Sequence, residues 1–171
     1  MNVVKKIVLF MAAGLFAINV VAQKSDIVDV AVGSADHTTL VAAVKAAGLV
    51  ETLKSKGPFT VFAPTNTAFA KLPAGTVDNL LKPESKSTLA AVLTYHVVAG
   101  NINAKAVIEA IKNGKGKAVL STVAGGKLTA TIEDGKVILT DENGGKSTVI
   151  ATDLLATNGI IHVIDAVLLP K

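Results

Sequence analysis

"GPFTVFAPTNTAFAKLP", from Gly57 to Pro73, contains the signals of a strand and of a helix within one short stretch. Its first part, "FTVFAP", is rich in residues that favour strands and closes at Pro64, so it predicts a strand that runs into a turn. Its second part, "TNTAFAKLP", begins with a threonine that can cap a helix, and it predicts one helical turn that ends before Pro73. The stretch therefore indicates a fold that mixes helices with strands.

The sequence before this stretch has the periodicity of an amphipathic helix. In "SADHTTLVAAVKAAGL" the apolar residues that share one helical face are Leu40, Val41, Val44 and Ala47. Ser34 or Asp36 is the predicted N-cap, and Gly48 is the predicted end of the helix.

Two further helices are predicted after the opening stretch. One covers Leu89 to Tyr95, where Leu89, Val92 and Leu93 share a face. The other covers Ala104 to Ile111 and ends at Asn113-Gly114. The first half of the chain is therefore predicted to be mainly helical.

The second half changes to the period of β-strands. Leu128, Ala130 and Ile132 alternate with polar residues, which predicts a strand with one buried face. Asp134-Gly135 then predicts a tight hairpin turn, and Asn158-Gly159 predicts another near the end of the chain. The expected fold class is α+β, with a helical first half and an antiparallel meander in the second half.

The first residues, Met1 to Ala22, are predicted to be a signal peptide. Lys5 and Lys6 precede the apolar run from Ile7 to Val21, and small residues stand before the expected cleavage site at Gln23. The run is short for a membrane span, and no stop-transfer flank follows it. Residues 23–171 are then expected to form one secreted domain, periplasmic or extracellular, without a membrane span.

Composition excludes some classes of function. The chain has 171 residues, no cysteine and a formal net charge of +4, which falls to +2 without Lys5 and Lys6. Cysteine nucleophiles and disulfides are therefore excluded. All the positive charge comes from lysine, and aromatic residues are few, so no nucleic-acid partner is expected.

No catalytic arrangement stands out in the sequence. Phosphate-binding glycine loops, helical zinc motifs and serine elbows are missing. The acidic pairs Glu133-Asp134 and Asp141-Glu142 precede glycine turns, where solvated carboxylates are expected. The three histidines, His37, His96 and His162, could gather around a metal, but core histidines are the favoured interpretation. We expect no enzyme activity, no cofactor and no metal.

Three stretches in order resemble the fasciclin-like (FAS1) domain family. Gly57 to Pro73 resembles the family's first conserved box, "LTYHVVAG" (Leu93 to Gly100) its Tyr-His motif, and "ATNGIIHVIDAVLLP" (Ala156 to Pro170) its second box. The similarity covers essentially all of the chain after the signal peptide. It implies a wedge of two β-sheets with helices packed along it, in a secreted or surface protein that acts in adhesion and matrix interaction without a cofactor.

The resemblance also implies candidate partner-binding residues. In animal members of the family, the Tyr-His region and an Asp-Ile pair before the second box are associated with integrin binding. The matching residues here are Tyr95-His96 and Asp153-Leu154, with leucine in place of isoleucine. For His96 a structural role is favoured over direct contact, because it stands between a helix and a strand, where a buried imidazole can supply both a donor and an acceptor.

The main functional hypothesis is a secreted, non-enzymatic adhesion or interaction module that binds a protein or glycan at a cell surface or matrix. The alternative is an envelope small-molecule or metal binder, or an enzyme, built on the same scaffold and using His96, His162 and Asp165. A third possibility is a structural component that self-associates through exposed sheet edges. The sequence specifies neither the partner nor the oligomeric state.

Overall fold

A computed structural model describes residues 25–171 of the protein, so the predicted signal peptide, Met1 to Ala22, lies outside the described residues. The helices are α1 (Ile27–Val32), α2 (Thr38–Ala47), α3 (Val50–Lys54), α4 (Asn66–Ala70), α5 (Thr76–Leu80), α6 (Lys86–Tyr95) and α7 (Ala104–Asn113). The strands are β1 (Phe59–Pro64), β2 (Val97–Ala99), β3 (Lys117–Ser121), β4 (Lys127–Glu133), β5 (Lys136–Thr140), β6 (Lys146–Ala156) and β7 (Gly159–Ile164). Single 3₁₀ turns at Ala35–His37 and Pro83–Ser85 precede α2 and α6.

The strands form a mixed sheet in the order β2-β1-β7-β6-β5-β4-β3. Neighbours are antiparallel except β1 and β7, which run parallel from Phe59↔Gly159 to Pro64↔Ile164. The long strand β6 pairs with β5 through its first residues and with β7 through the rest, so it joins the two halves of the sheet. One bridge, Val98↔Thr122, brings the outer strands β2 and β3 together. The predicted α+β wedge and the antiparallel meander from β3 to β7 are confirmed, and the first half adds β1 and β2 to the sheet.

The predicted helices are present, with one correction at an N-terminus. Helix α2 buries Leu40, Val44 and Ala47 and ends at Gly48, as predicted. It starts at Thr38 and is not capped by Ser34 or Asp36. Asn66 from the start of α4 takes over this role, since its Oδ1 accepts hydrogen bonds from Thr39 N–H at 2.9 Å and from the Thr38 hydroxyl. The cap thus comes from a residue that is distant in sequence.

The opening stretch forms the elements that it predicts. Strand β1 ends at Pro64, and the Thr65 hydroxyl caps α4 by accepting from Ala68 N–H at 3.2 Å. Helix α4 ends at Ala70, before Pro73. Strand β1 lies between β2 and β7 in the sheet, and α4 follows directly at its end.

The β4–β5 hairpin also forms at the predicted turn. Asp134 and Gly135 both have positive φ, 50° and 76°, as a two-residue turn between right-twisted strands requires. Leu128 and Ala130 are fully buried, but Ile132 is 40% exposed, against the prediction of one buried face. Ile132 lies next to the turn, where all of residues 133–136 are exposed and the hairpin projects beyond the core.

Two apolar clusters form the core on the two sides of β1. One lies among α1, α2, α6 and β1, where Ile27, Leu40 and Leu93 are buried. The other lies inside the wedge of the sheet and includes Tyr95 and Phe62. Because β-strand side chains alternate in direction, β1 can serve both clusters.

The β6–β7 turn fastens the N-terminal helices to the sheet. The side-chain oxygen of Asn158 accepts from Ile27 N–H at 3.0 Å, and its NH₂ group donates to the carbonyls of Leu53 and Ser55 at 2.6 and 2.9 Å. A single asparagine thereby contacts the start of α1 and the end of α3.

Candidate interaction site

Tyr95, the last residue of α6, is fully buried and connects this helix to two turns of the sheet. Its hydroxyl donates to the Lys127 carbonyl at 2.7 Å and accepts from Glu142 N–H at 3.2 Å. Its ring lies so close to Gly126 that a Cβ there would come within 2.5 Å of a ring carbon. Burial raises the pKa of Tyr95, so the hydroxyl keeps its proton and its donor role.

His96 is buried directly behind Tyr95, and both of its ring nitrogens have partners. Nδ1–H donates to the Val92 carbonyl at 2.8 Å, and Nε2 accepts from Leu168 N–H at 3.0 Å. The His96 carbonyl accepts from Phe62 N–H on β1 at 2.9 Å. His96 therefore holds α6, β1 and the C-terminal segment together, which is the structural role favoured from the sequence.

The surroundings of His96 keep the imidazole neutral. Burial lowers its pKa from 6.5 to about 4, and the bond to Val92 and the nearby Asp141 charge offset this only in part. We define Tyr95 and His96 together as the Tyr-His junction. Their exposed fractions are 0% and 2%, so no partner can touch either side chain in this conformation.

Asp153 lies at an irregular point of β6 and is exposed. The register with β7 shifts between Ala151 and Leu154, and Asp153 has a φ of 58°, in the left-handed region. Its Oδ1 accepts from Ala104 N–H at 2.9 Å, at the first residue of α7. The neighbouring cap, Asn103, accepts from Ala106 N–H at 2.8 Å, so two side chains share the start of this helix.

The part of β6 that contains Asp153 has one unpaired edge. Strand β5 pairs only with Lys146 to Thr148, whereas Val149 to Ala156 pairs with β7 alone among the described strands. We call Val149–Ala156 the β6 edge segment. It exposes three large apolar side chains, Ile150, Leu154 and Leu155, by 54%, 39% and 76%. The two sequence candidates Asp153 and Leu154 thus lie on an open surface.

The Tyr-His junction and the β6 edge segment lie on different parts of the fold but share two intermediates. Phe62, whose N–H donates to His96, stacks its ring on His162 with centroids 5.5 Å apart. His162 Nδ1 accepts from Asp153 N–H at 3.3 Å, and its Nε2–H donates to the Ile102 carbonyl at 2.8 Å. The core therefore links the junction to the backbone of Asp153 through Phe62 and His162.

The other histidine and carboxylate candidates do not converge. His37 Nδ1 contacts the Ser34 hydroxyl at 2.8 Å, and burial lowers its pKa. Asp165, proposed with His162 in the enzyme alternative, instead accepts from Thr148 N–H at 2.7 Å. Within residues 25–171, His, Asp and Glu side chains form no group of three that could hold a metal ion.

The prediction that Asp141 is a solvated turn residue is wrong. It is 8% exposed, and its carboxylate accepts from the N–H groups of Asn143, Gly145 and Leu169 at 2.7 to 3.0 Å. Asp141 therefore fastens the C-terminal segment to the β5–β6 turn. The "DENGG" pattern carries the signal of an aspartate that caps its own turn, but its bond to Leu169 depends on the tertiary fold.

Across residues 25–171, none of the helices has the length and apolar character that crossing a bilayer would require.

Comparisons with known proteins match most of the described residues. The sequence profile of the Fasciclin domain matches residues 35–170. Protein sll1483 of Synechocystis sp. is 54% identical over 144 residues, which are 84% of this chain and 73% of that protein. Transforming growth factor-beta-induced protein ig-h3 of Sus scrofa is 36% identical over 149 residues, 84% of this chain but 19% of that protein.

A solved structure has the same architecture. The FAS1 domain pair from the insect cell adhesion molecule Fasciclin I superposes with a TM-score of 0.73 at 21% sequence identity, and the match covers 85% of this chain and 51% of that one. The profile match and the identity with the curated relative lead to one assignment. The chain belongs to the fasciclin domain family.

Proposed function

We propose that this protein is a secreted, non-enzymatic module that binds a protein or glycan at a cell surface or in a matrix. Three observations support the proposal: membership of the fasciclin domain family, a fold shared with domains of a cell adhesion molecule, and the signal-peptide pattern of Met1 to Ala22. The mature unit would be Gln23 to Lys171, delivered to the periplasm or to the outside.

The observation that carries the proposal is the β6 edge segment. Unpaired backbone N–H and C=O groups on a strand edge can add a strand or a polar ligand from a partner. Of the seven large apolar side chains that are exposed among the described residues, three lie in this segment. Apolar contact and backbone hydrogen bonds together are the usual means of recognition at a sheet edge.

The four candidate residues have two different roles in this proposal. Asp153 and Leu154 are exposed and would contact the partner directly. Tyr95 and His96 are buried and would act by holding β1 and, through Phe62 and His162, the backbone at Asp153. Partner binding would then depend on the junction only through the position of β6.

The test is a binding screen of the full chain, expressed with its own N-terminal segment, against matrix-protein and glycan arrays. The variant Leu154→Ser/Leu155→Ser removes two of the three exposed apolar side chains of the segment and leaves Ile150. Its matched control is Val119→Ser on β3, which removes a valine that is 58% exposed in another strand. We expect the double variant to lose at least about tenfold in affinity, the effect of about 1.4 kcal/mol, and the control to bind normally.

Two results would contradict the proposal. If the double variant and the control bind equally well, the contact surface is not the β6 edge segment. If the wild-type chain binds no protein or glycan on the arrays, the adhesion function itself fails. Mass spectrometry of the purified chain provides a separate check, since export predicts an N-terminus at Gln23.

A further inference from the structure

An apolar cavity of about 60 Å³ lies under the N-terminal helices, away from the β6 edge segment. Its floor is formed by β1 and β7, with Val61 and Ile161, and its walls include Ile27 and Val44 from α1 and α2. These side chains are less than 9% exposed. The cavity also reaches the surface, because Lys45 and Val123 line it and are exposed.

Thr52 lines this cavity at its exposed side, and the other uncharged polar side chains that line it, Thr94 and His96, have no free donor. His96 lines it, but both ring nitrogens are bonded to Val92 and Leu168. Thr94 also lines it, and its hydroxyl donates to the Ala90 carbonyl at 2.7 Å. Water gains little in such a space, since a buried water needs two to four polar partners. An apolar group would instead recover the van der Waals contacts that the lining atoms lack.

The side of the cavity that faces solvent is positively charged. Lys45 is its one ionised lining residue, because His96 is neutral, and it has no ion-pair partner within residues 25–171. Gly48 lies three residues after Lys45. The Nζ atom of Lys86 lies 3.3 Å from the position that a Cβ of Gly48 would take. An anion at this opening would therefore meet the ammonium group of Lys45, and Lys86 adds a second positive charge near Gly48.

We propose that the cavity binds the alkyl chain of a fatty acid, with the carboxylate at Lys45. The volume of about 60 Å³ is several times that needed by one water molecule but well below that of a pocket for a drug-sized ligand. It fits part of one alkyl chain, with the remainder leading to the opening. The charge at the opening selects a carboxylate over a neutral head group. This site is separate from the β6 edge segment and does not rest on the proposed adhesion function.

The test is a calorimetric titration of the full chain with decanoate below its micelle concentration, and with decanol as the neutral comparison. We expect one saturable site for decanoate and weaker binding of decanol. Lys45→Gln should weaken decanoate binding about two- to fivefold, as for an exposed ion pair, and leave decanol unchanged. Lys112→Gln is the matched control, because Lys112 also lies in the last turn of a ten-residue helix but outside the cavity.

A second variant tests the cavity itself. Val41 lines the cavity from α2 and is half-buried, so Val41→Phe should fill the space. We expect this variant to bind decanoate and decanol at least about tenfold more weakly. If Val41→Phe does not fold, Ala31→Leu replaces it, because Ala31 is a half-buried residue of α1 that also lines the cavity. The proposal is overturned if decanoate shows no saturable binding, if Lys45→Gln changes decanoate no more than Lys112→Gln does, or if the filled variant binds like the wild type.

Discussion

The Tyr-His junction and the β6 edge segment are joined through Phe62 and His162, yet their polar groups are arranged in opposite ways. In the junction, the Tyr95 hydroxyl and both His96 nitrogens bond to protein groups inside the fold. In the edge segment, one side of the backbone has no strand partner within residues 25–171, and Leu155 is 76% exposed. The difference separates residues that stabilise the domain from residues that are free to meet a partner.

The largest expected effect is on the buried side of this comparison. Tyr95→Ala should lower the free energy of unfolding by about 3–5 kcal/mol, because it leaves a large cavity and removes the bonds to Lys127 and Glu142. Chemical denaturation measures this directly. Leu155→Ala is the exposed counterpart and should change stability by less than about 0.5 kcal/mol. Similar costs for the two variants would contradict the division between the regions.

The second largest expected effect is a loss of stability in acid, which arises from His96 in the Tyr-His junction. The unfolded His96 has an ordinary pKa of 6.5, whereas the folded side chain has a pKa of about 4, so the unfolded state binds the proton more readily. Stability is therefore complete above pH 6.5 and is lost as the pH falls towards 4, by about 3 kcal/mol from this residue. Burial of His37 lowers its pKa and acts in the same direction.

The contribution of His96 can be isolated with His96→Gln, which keeps a donor and an acceptor but does not titrate. Urea unfolding at a series of pH values between 7 and 4.5 should show a shallower loss of stability in this variant than in the wild type. Equal slopes in both proteins would mean that folding does not lower the pKa of His96. Protonation of His96 should not affect partner binding near pH 7, because the folded side chain is neutral there.

A smaller effect is expected at Asp153, which lies on the exposed side but also caps α7. Asp153→Ala should cost about 1–2 kcal/mol, since it removes the acceptor for Ala104 N–H and puts alanine at a φ of 58°. Asp153→Asn keeps a side-chain oxygen and tolerates this backbone conformation, so its stability should stay within about 0.5 kcal/mol. Thermal or urea unfolding of the pair measures both.

The same pair sharpens the proposal about binding. If the partner recognises the charge of Asp153, the stable variant Asp153→Asn will bind less tightly than the wild type. If the partner needs only the shape of β6, Asp153→Asn will bind normally and Asp153→Ala less well. Normal binding by both variants would remove Asp153 from the contact surface.

Local patterns were enough to predict several elements, because their signals lie within a few residues. The helices that became α2, α6 and α7, and the Asp134-Gly135 turn, follow from apolar spacing and turn residues. The N-cap of α2 did not, since its acceptor comes from Asn66. Burial of Asp141 was also missed, because its bond to Leu169 N–H joins residues that only the folded sheet brings together.

The candidate site was predictable only as a set of residues. The family resemblance placed Tyr95-His96 and Asp153-Leu154 in one category. The helix–strand junction favoured a buried structural role for His96, but nothing local showed that Asp153-Leu154 is exposed. That distinction depends on the bend of β6, where its pairing changes from β5 to β7. The capping of α7 by Asp153 likewise joins residues 49 positions apart.

The parallel pairing of β1 with β7 sets the order in which this chain can fold. Phe59 reaches its partner Gly159 only after about 100 residues of intervening sequence, and Asn158 must also be in place before it can hold α1 and α3. Closing so long a loop is slow, and its entropic cost is met only when the last strand docks. A growing chain therefore stays without its central strand pair until β7 has been synthesised. If the chain is exported as proposed, late completion of the sheet would keep it unfolded, which is the form that a narrow export channel can admit.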